Sequence, residues 1–237
     1  MRLDTEFMWE TFWHVLTGVP VTLKITFVAL LVSAPLGFFM ALSRSGNGKI
    51  GRRIITGYVS FIRGTPVVLQ ILFIYSILPT TLNYLIKTVW GLDFNIFRVD
   101  PILYAYIVFI LNTTAVLSEV FRSALATVNH GQLEAALAIG LTKSQAYIRI
   151  IIPQALVAAL PNICNATISL LKSTSLAFMM TVKDITAIAK IDASFGYNYL
   201  EAYLVIFFVY ILLCTAVQLI FQLVERYVAS YKNLITT

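Results

Sequence analysis

Long stretches without a charged residue dominate the pattern of polar and hydrophobic positions along this chain. Five of them reach membrane length, at residues 25–43, 64–86, 101–118, 150–171 and 202–224. An α-helix needs about 20 apolar residues to cross a bilayer, and continuous rather than alternating hydrophobicity favours helices over a barrel. The pattern therefore predicts an all-α polytopic membrane protein with five transmembrane helices, near residues 19–42, 58–80, 101–121, 154–174 and 201–224.

The composition agrees with a membrane protein. Of 237 residues, 59% are hydrophobic and 12% are charged, whereas a soluble domain carries about 25% charged residues. No linker, repeat or low-complexity tract divides the chain, so we expect a single transmembrane domain over residues 1–237. A stripe of apolar residues between Phe7 and Leu16 also predicts an amphipathic helix at the membrane surface.

The distribution of charge predicts the orientation. With five spans, residues 44–63, 119–149 and 225–237 share one face, which holds ten Lys and Arg and three acidic residues. The other face holds seven Lys and Arg and eight acidic residues. Basic residues accumulate on the cytoplasmic side of membrane proteins. We therefore expect the N-terminus outside and the C-terminus in the cytoplasm, and we attribute the net charge of +6 to topology rather than to nucleic-acid binding.

Catalytic signatures are missing from the sequence. The glycines at 46, 48 and 51 lack the spacing of a phosphate-binding loop, and His14 and His130 have no partner at metal-ligand spacing. No Gly-x-Ser-x-Gly nucleophile elbow is present. We expect no catalytic residue, no metal site and no enzymatic activity in this chain.

The segment at residues 130–153, called the elbow here, has a distinct local pattern. Residues 132–139 are almost all good helix formers, and Gly140 is placed to end that helix in the left-handed conformation. Thr142 and Gln145 fit a capping box for a second helix, and Pro153 limits how that helix joins the next span. The pattern predicts two short helices parallel to the membrane, and the alternative is an ordinary interhelical loop.

Polar residues in the predicted spans allow two interpretations each. Arg63 is either an interface anchor or part of a hinge with Gly64 and Pro66. Glu119 either pairs with Arg122 three residues later or faces a cavity. Asn112, Asn165 and Ser169 form either helix–helix contacts or contacts with a substrate. Lys172 either reaches the lipid headgroups or, with Thr174 and Ser175, binds a carboxylate group.

Together, these segments resemble a known family. Glu134-Ala135-Ala136, Gly140, Ile150 and Ile152-Pro153 have the spacing of the EAA loop of ABC importer permeases, with only Ile152 departing from the usual Leu. Residues 61–66 with Gln70, residues 111–112 with 118–124, residues 169–177 and residues 21–24 resemble segments of the permeases for polar amino acids. The resemblance covers residues 18–226, and it identifies the histidine, glutamine, arginine and cystine branch of that family.

The resemblance implies a set of partners and sites. The permease would pair with a second copy or a sister permease, a dimer of ABC ATPases that binds the ATP and Mg²⁺, and an extracellular or periplasmic solute-binding protein, in the bacterial inner or plasma membrane. The sequence does not identify the amino acid, and cystine or a related polar amino acid is our preferred candidate. ATPase coupling is assigned to Gly131, Glu134, Ala135, Ala136, Gly140 and Pro153, and the candidate substrate pathway to Gln70, Asn112, Glu119, Asn165, Ser169, Lys172, Thr174 and Ser175.

Two other functions remain open at this stage. One is an ion-coupled secondary amino-acid transporter, which is disfavoured because the five spans show no paired repeat. The other is a membrane scaffold that transports nothing. Transport stimulated by ATP in purified vesicles would separate these possibilities.

Overall fold

The computed structural model describes residues 3–45 and 48–236, and this part of the chain contains ten α-helices and no strand. Five helical segments are long and apolar enough to span a membrane, at Thr5–Arg44, Val67–Val89, Ile102–Thr127, Lys143–Met180 and Tyr199–Val228. The all-α, five-span prediction is confirmed. The helices are α1 Thr5–Val15, α2 Val19–Ser45, α3 Lys49–Gly64, α4 Val67–Tyr84, α5 Ile102–Thr127, α6 His130–Ala138, α7 Lys143–Ala146, α8 Ile152–Ser173, α9 Ile185–Gly196 and α10 Tyr199–Thr236.

The second predicted span is misplaced. It was expected at residues 58–80, but α3 ends at Gly64 and α4 starts at Val67. Pro66 has no N–H to donate and disfavours a helical conformation for the residue before it, and Thr65 is accordingly extended, with φ −114° and ψ 139°. The span therefore starts nine residues later, at Val67, and continues through a π-helical turn to Val89.

The N-terminal segment forms the predicted helix. Asp4 caps α1 by accepting a hydrogen bond from the Phe7 N–H at 3.0 Å. A 3₁₀ turn at Leu16–Gly18 then leads directly into α2. Val15 is fully buried and packs with α9 and α10, in a cluster that includes Ile185 and Val205. This contact gives α1 a packing role within the bundle.

Helix α5 is the centre of the bundle and packs against α2, α3, α4 and α8. Phe109 lies in one buried cluster with Ile25 and Met180, and Leu117 lies in a second with Ala124 and Ala155. Gly37 permits a close approach of α2, because a Cβ atom there would lie 2.9 Å from the backbone nitrogen of Ser118. The α2–α5 contact therefore requires a residue without a side chain at this position.

The two faces of the bundle carry different structures. Helices α2 and α5 end on the side where α6 and α7 lie, which we call the elbow face. The opposite side, the distal face, carries α1 and α9 together with a 3₁₀ segment at Thr174–Met180. Asp184 starts α9 there by accepting a hydrogen bond from the Ala187 N–H at 2.8 Å. These faces position the candidate sites described next.

Candidate coupling elbow and polar pathway

The first helix of the elbow, α6, presents a thin surface. Asn129 caps it, accepting a hydrogen bond from the Gly131 N–H at 2.8 Å. Glu134 and Ala135 are exposed, whereas Ala136 is only 2% exposed and holds the helix against the rest of the elbow. Because the exposed alanine side is short, another protein backbone can approach α6 closely.

Gly140 ends α6 as the sequence predicts. Its φ is +88°, in the left-handed region that favours glycine. The Leu141 N–H donates to the Ala136 carbonyl at 3.1 Å, and the Gly140 N–H donates to the Leu137 carbonyl at 3.0 Å. These two bonds form a Schellman motif, which satisfies the last carbonyl groups of the helix. The sharp turn between α6 and α7 depends on this glycine.

The capping box at α7 is confirmed, but the helix it starts is not separate from the next span. The Gln145 N–H donates to the Thr142 hydroxyl, and the Thr142 N–H donates to the Gln145 side chain at 2.9 Å. Helix α7 has four residues and continues through a π-helical turn at Tyr147–Ile151 into α8. Pro153 lies in the first turn of α8 and causes no break there. Helix α7 is thus the base of the fourth span.

Exposed apolar side chains of the elbow were not among the predicted coupling residues. Ile139 is 78% exposed and Ile148 is 66% exposed, and Leu137 is also exposed. No local signal in the sequence distinguishes them, because Ala, Leu and Ile recur throughout residues 133–152. They are exposed apolar side chains of the elbow that no described residue covers.

The break between α3 and α4 brings two of the predicted pathway residues together. Gln70 donates to the carbonyl of Ile62 at 2.8 Å and to the hydroxyl of Thr65 at 2.9 Å. Its side-chain oxygen accepts a bond from Asn112 at 3.3 Å. Gln70 therefore bridges the α3–α4 break to the middle of α5.

Arg63 lies at the depth of the middle of α5, which is deeper in the bundle than an interface anchor would lie. The neighbouring Ile62 packs against Ala115, which is halfway along α5. Arg63 is exposed and forms no ion pair in the part of the chain that the structure describes. Its side chain extends from the last turn of α3, directly before the break at Gly64–Pro66.

Glu119 has two basic partners. The predicted pair with Arg122 is present, with the Arg122 Nε donating at 2.8 Å. The other partner, which no local pattern in the sequence indicates, is Arg44 at the end of α2, whose Nη1 donates to Glu119 at 2.6 Å. Both carboxylate oxygens are thus occupied, and Glu119 links α2 to α5.

One side of α8 is polar and unpacked. Asn165, Ser169 and Lys172 are exposed, and their spacing of four and three residues places them on one face of the helix. The opposite face, with Ala166 and Leu170, is buried. Lys172 also lines a cavity of about 470 Å³ between α8 and α10, next to Tyr210, Cys214 and Gln218.

The hydroxyls after Lys172 are engaged with their own helix. Thr174 is fully buried and donates to the Leu171 carbonyl at 2.6 Å, and Ser175 donates to the Lys172 carbonyl at 2.7 Å. The predicted pathway residues thus fall into separate groups: the Gln70–Asn112 pair, the α8 face, the hydroxyls at its end, and Glu119. In the described part of the chain these groups lie apart, and Lys172 is the one of them that lines the cavity between α8 and α10.

Comparison with known proteins defines the class. Residues 33–230 match the family described as the binding-protein-dependent transport system inner membrane component, and the chain belongs to this family of membrane transport components. It is 35% identical over 219 residues to the L-cystine transport system permease protein TcyL of Bacillus subtilis, covering 92% of this chain and 89% of that protein.

Two further similarities extend over nearly the whole chain. The probable amino-acid permease protein YxeN of Bacillus subtilis is 36% identical over 224 residues, which cover 94% of this chain and 95% of the relative. A crystal structure of an amino acid ABC transporter with histidines superimposes with a TM-score of 0.80 at 29% identity, covering 96% of this chain and all of that one. The importer permease fold is confirmed by this match.

Proposed function

We propose that this chain is the membrane-spanning permease subunit of an ATP-driven importer of polar amino acids. The observation that carries the proposal is the exposed polar face of α8, where Asn165, Ser169 and Lys172 lie along a membrane span. Polar groups at membrane depth face a bundle interior or a water-filled cavity rather than lipid. The face is complete only when another subunit covers it, as in a pathway between two permeases.

The elbow is the proposed docking site for the ATPase. Its short alanine surface and the exposed side chains of Ile139 and Ile148 suit a groove on a soluble partner. The sequence has no phosphate-binding loop, so we assign the binding of ATP and Mg²⁺ to a separate pair of ATPase subunits. Closure of those subunits would move the two elbows of a permease dimer together.

The proposed orientation puts the elbow in the cytoplasm. The elbow face carries the excess of Lys and Arg, and this bias predicts the cytoplasmic side. The N-terminus then lies outside and the C-terminus inside, in a bacterial inner or plasma membrane. A solute-binding protein would deliver the amino acid to the distal face.

In the proposed pathway, Lys172 binds the carboxylate of the amino acid near the distal face. The Gln70–Asn112 pair supplies amide groups deeper in the membrane, beside the α3–α4 break. Glu119 is assigned to holding α2 and α5 together, because both of its oxygens are already bound to arginines. Arg63, Gly64 and Pro66 form the proposed hinge.

Cystine or a related polar amino acid is the proposed substrate. Support comes from the similarity to a cystine transport permease and to an amino acid ABC transporter. The second permease is either another copy of this chain or a sister subunit.

Uptake by reconstituted vesicles tests the proposal. The chain is reconstituted with its ATPase and solute-binding protein, and uptake of labelled cystine is compared with that of glutamine and arginine. We expect uptake only with Mg-ATP on the side of the ATPase. Uptake driven by an ion gradient without ATP would instead identify a secondary transporter. Binding of the ATPase without any uptake would indicate a membrane scaffold that transports nothing.

A further inference from the structure

A basic cleft opens on the elbow face, outside the pathway and the α6 docking surface. It lies between the ends of α2 and α5, the first half of α3 and the π-helical turn of the elbow, and it has a volume of about 450 Å³. Its polar lining consists of three arginines and two hydroxyl residues: Arg44, Arg52, Arg122, Thr56 and Tyr147.

The cleft has more positive charge than its acidic neighbour can neutralise. Glu119 binds both Arg44 and Arg122 and offsets one of the two charges. Arg52 is exposed and has no ion pair among residues 3–45 and 48–236. Two positive charges are therefore left over, next to hydroxyl groups that can donate hydrogen bonds. This combination suits a phosphate group, because one guanidinium group can donate two parallel hydrogen bonds to two phosphate oxygens.

Helix α3 places the cleft at the level of the lipid headgroups. Ile50, Ile54 and Phe61 recur at helical spacing and are 67–78% exposed, so this side of α3 is suited to acyl chains. Arg52 and Thr56 occupy a different side of the same helix and face the cleft. Helices α2 and α5 end at this level, at Ser45 and Thr127. A lipid beside α3 could extend its phosphate group into the cleft.

We propose that this cleft binds the phosphate of an anionic phospholipid, such as phosphatidylglycerol. A basic pocket between transmembrane helices at the membrane surface is the arrangement that binds anionic headgroups in other membrane proteins. A lipid fits better than an acidic side chain of the ATPase, because α3 combines the free arginine with an apolar side that would contact the acyl chains. The inference concerns binding alone and does not depend on which amino acid is transported.

Arg52 offers a clean test, because its replacement breaks no ion pair within the described chain. Arg53 provides a matched control: it is the next residue of α3, carries the same charge and is exposed, but does not line the cleft. The chain is purified in a neutral detergent with the wild-type residue, with Arg52→Gln and with Arg53→Gln. Binding of phosphatidylglycerol, phosphatidylcholine with the same acyl chains, and inorganic phosphate is measured by native mass spectrometry and by the shift in Tm.

We expect phosphatidylglycerol to bind more tightly than phosphatidylcholine, and Arg52→Gln to weaken it by about tenfold, or about 1.4 kcal/mol. Arg53→Gln should bind it as the wild type does. Equal binding of the two lipids, or equal losses in both variants, would overturn the proposal. Tight binding of inorganic phosphate with no preference for phosphatidylglycerol would identify a free anion as the ligand instead. Co-purification of the ATPase is measured for the same variants, and its loss in Arg52→Gln with unchanged lipid binding would assign the cleft to the ATPase.

Discussion

Arg44 donates a hydrogen bond of 2.6 Å to Glu119, and this contact ties the end of α2 to α5 across 75 positions of sequence. The Arg44 side chain is only 13% exposed. Removing one partner of such a pair leaves the other charge poorly solvated, which costs more than the pair itself contributes. The contact is thus a structural link between two transmembrane helices.

We therefore expect Glu119→Gln to destabilise the bundle by about 2 kcal/mol, because two guanidinium groups lose their counter-charge. Thermal unfolding in detergent measures the loss, and a double-mutant cycle with Arg44→Gln separates the contribution of the pair. Uptake per assembled complex should change little. A selective loss of uptake with unchanged Tm would instead assign Glu119 to the substrate pathway.

Gly140→Val should weaken binding of the ATPase. A β-branched residue at φ +88° is strained by about 1–2 kcal/mol, which would displace the end of α6. Co-purification of the ATPase and ATP-driven uptake measure the effect, while the amount of inserted permease should stay the same. Gly57→Ala is the control, since a Cβ there enters open space within α3. Normal coupling in Gly140→Val would exclude the elbow as the docking site.

Asp184 should make stability depend on pH. Its side chain is fully buried, one carboxylate oxygen has no hydrogen-bond partner, and burial raises its pKa from 3.8 to about 6. Folding thus favours the protonated form, so this stabilisation is complete below pH 4 and is lost as the pH rises through 6. The loss corresponds to about 3 kcal/mol.

Tm measured between pH 4.5 and 7.5 tests this dependence. In Asp184→Asn the side-chain oxygen can still cap α9, but the amide group cannot ionise. We therefore expect the variant to have a higher Tm than the wild type, with the largest difference above pH 6. Asp4→Asn is the matched control, because Asp4 caps α1 from an exposed position. An Asp184→Asn curve parallel to the wild-type curve would contradict the assigned pKa.

Lys172→Met should reduce uptake at least tenfold per assembled complex, since it removes a charge-assisted contact worth about 1.5–3 kcal/mol. Basal ATP hydrolysis should remain, because the elbow is unchanged. Lys183→Met removes an exposed charge beyond the end of the same span and is the control. If both variants transport like the wild type, Lys172 does not contact the substrate.

Impermeant maleimide labelling tests the orientation. Cysteine replaces either Lys49 or Lys87, both of which are exposed, in a background without Cys164 and Cys214. We expect Lys49→Cys to react only from the cytoplasm and Lys87→Cys only from outside, as the excess of basic residues on the elbow face predicts. The reverse pattern would invert every assignment of sidedness.

The sequence predicts best those features that depend on neighbouring residues. The span at α5 follows from the absence of charge between Asp100 and Glu119, and the left-handed Gly140 follows from its place after a run of helix formers. The capping box of Thr142 and Gln145 is equally local. Each depends on the solvation or hydrogen bonding of residues only a few positions apart.

Features that depend on distant contacts or on broken hydrogen bonding are not predicted. The predicted second span extends across Arg63 and Pro66, because hydrophobicity alone takes no account of the missing N–H of Pro66, and it therefore begins nine residues too early. The pairing of Arg44 with Glu119 depends on how α2 crosses α5, and no local pattern encodes that crossing. For the same reason the sequence did not reveal that Gln70 meets Asn112.

The continuous helix from Lys143 to Met180 has a mechanical consequence. Its 38 residues are all helical and run through α7, the π-helical turn, α8 and the 3₁₀ segment without an intervening loop, so the elbow and the fourth span form one lever. A small tilt imposed at Lys143 becomes a displacement of several ångströms at Lys172 near the other end. Force applied to the elbow would thus reach the polar face of α8 along one unbroken run of helical backbone.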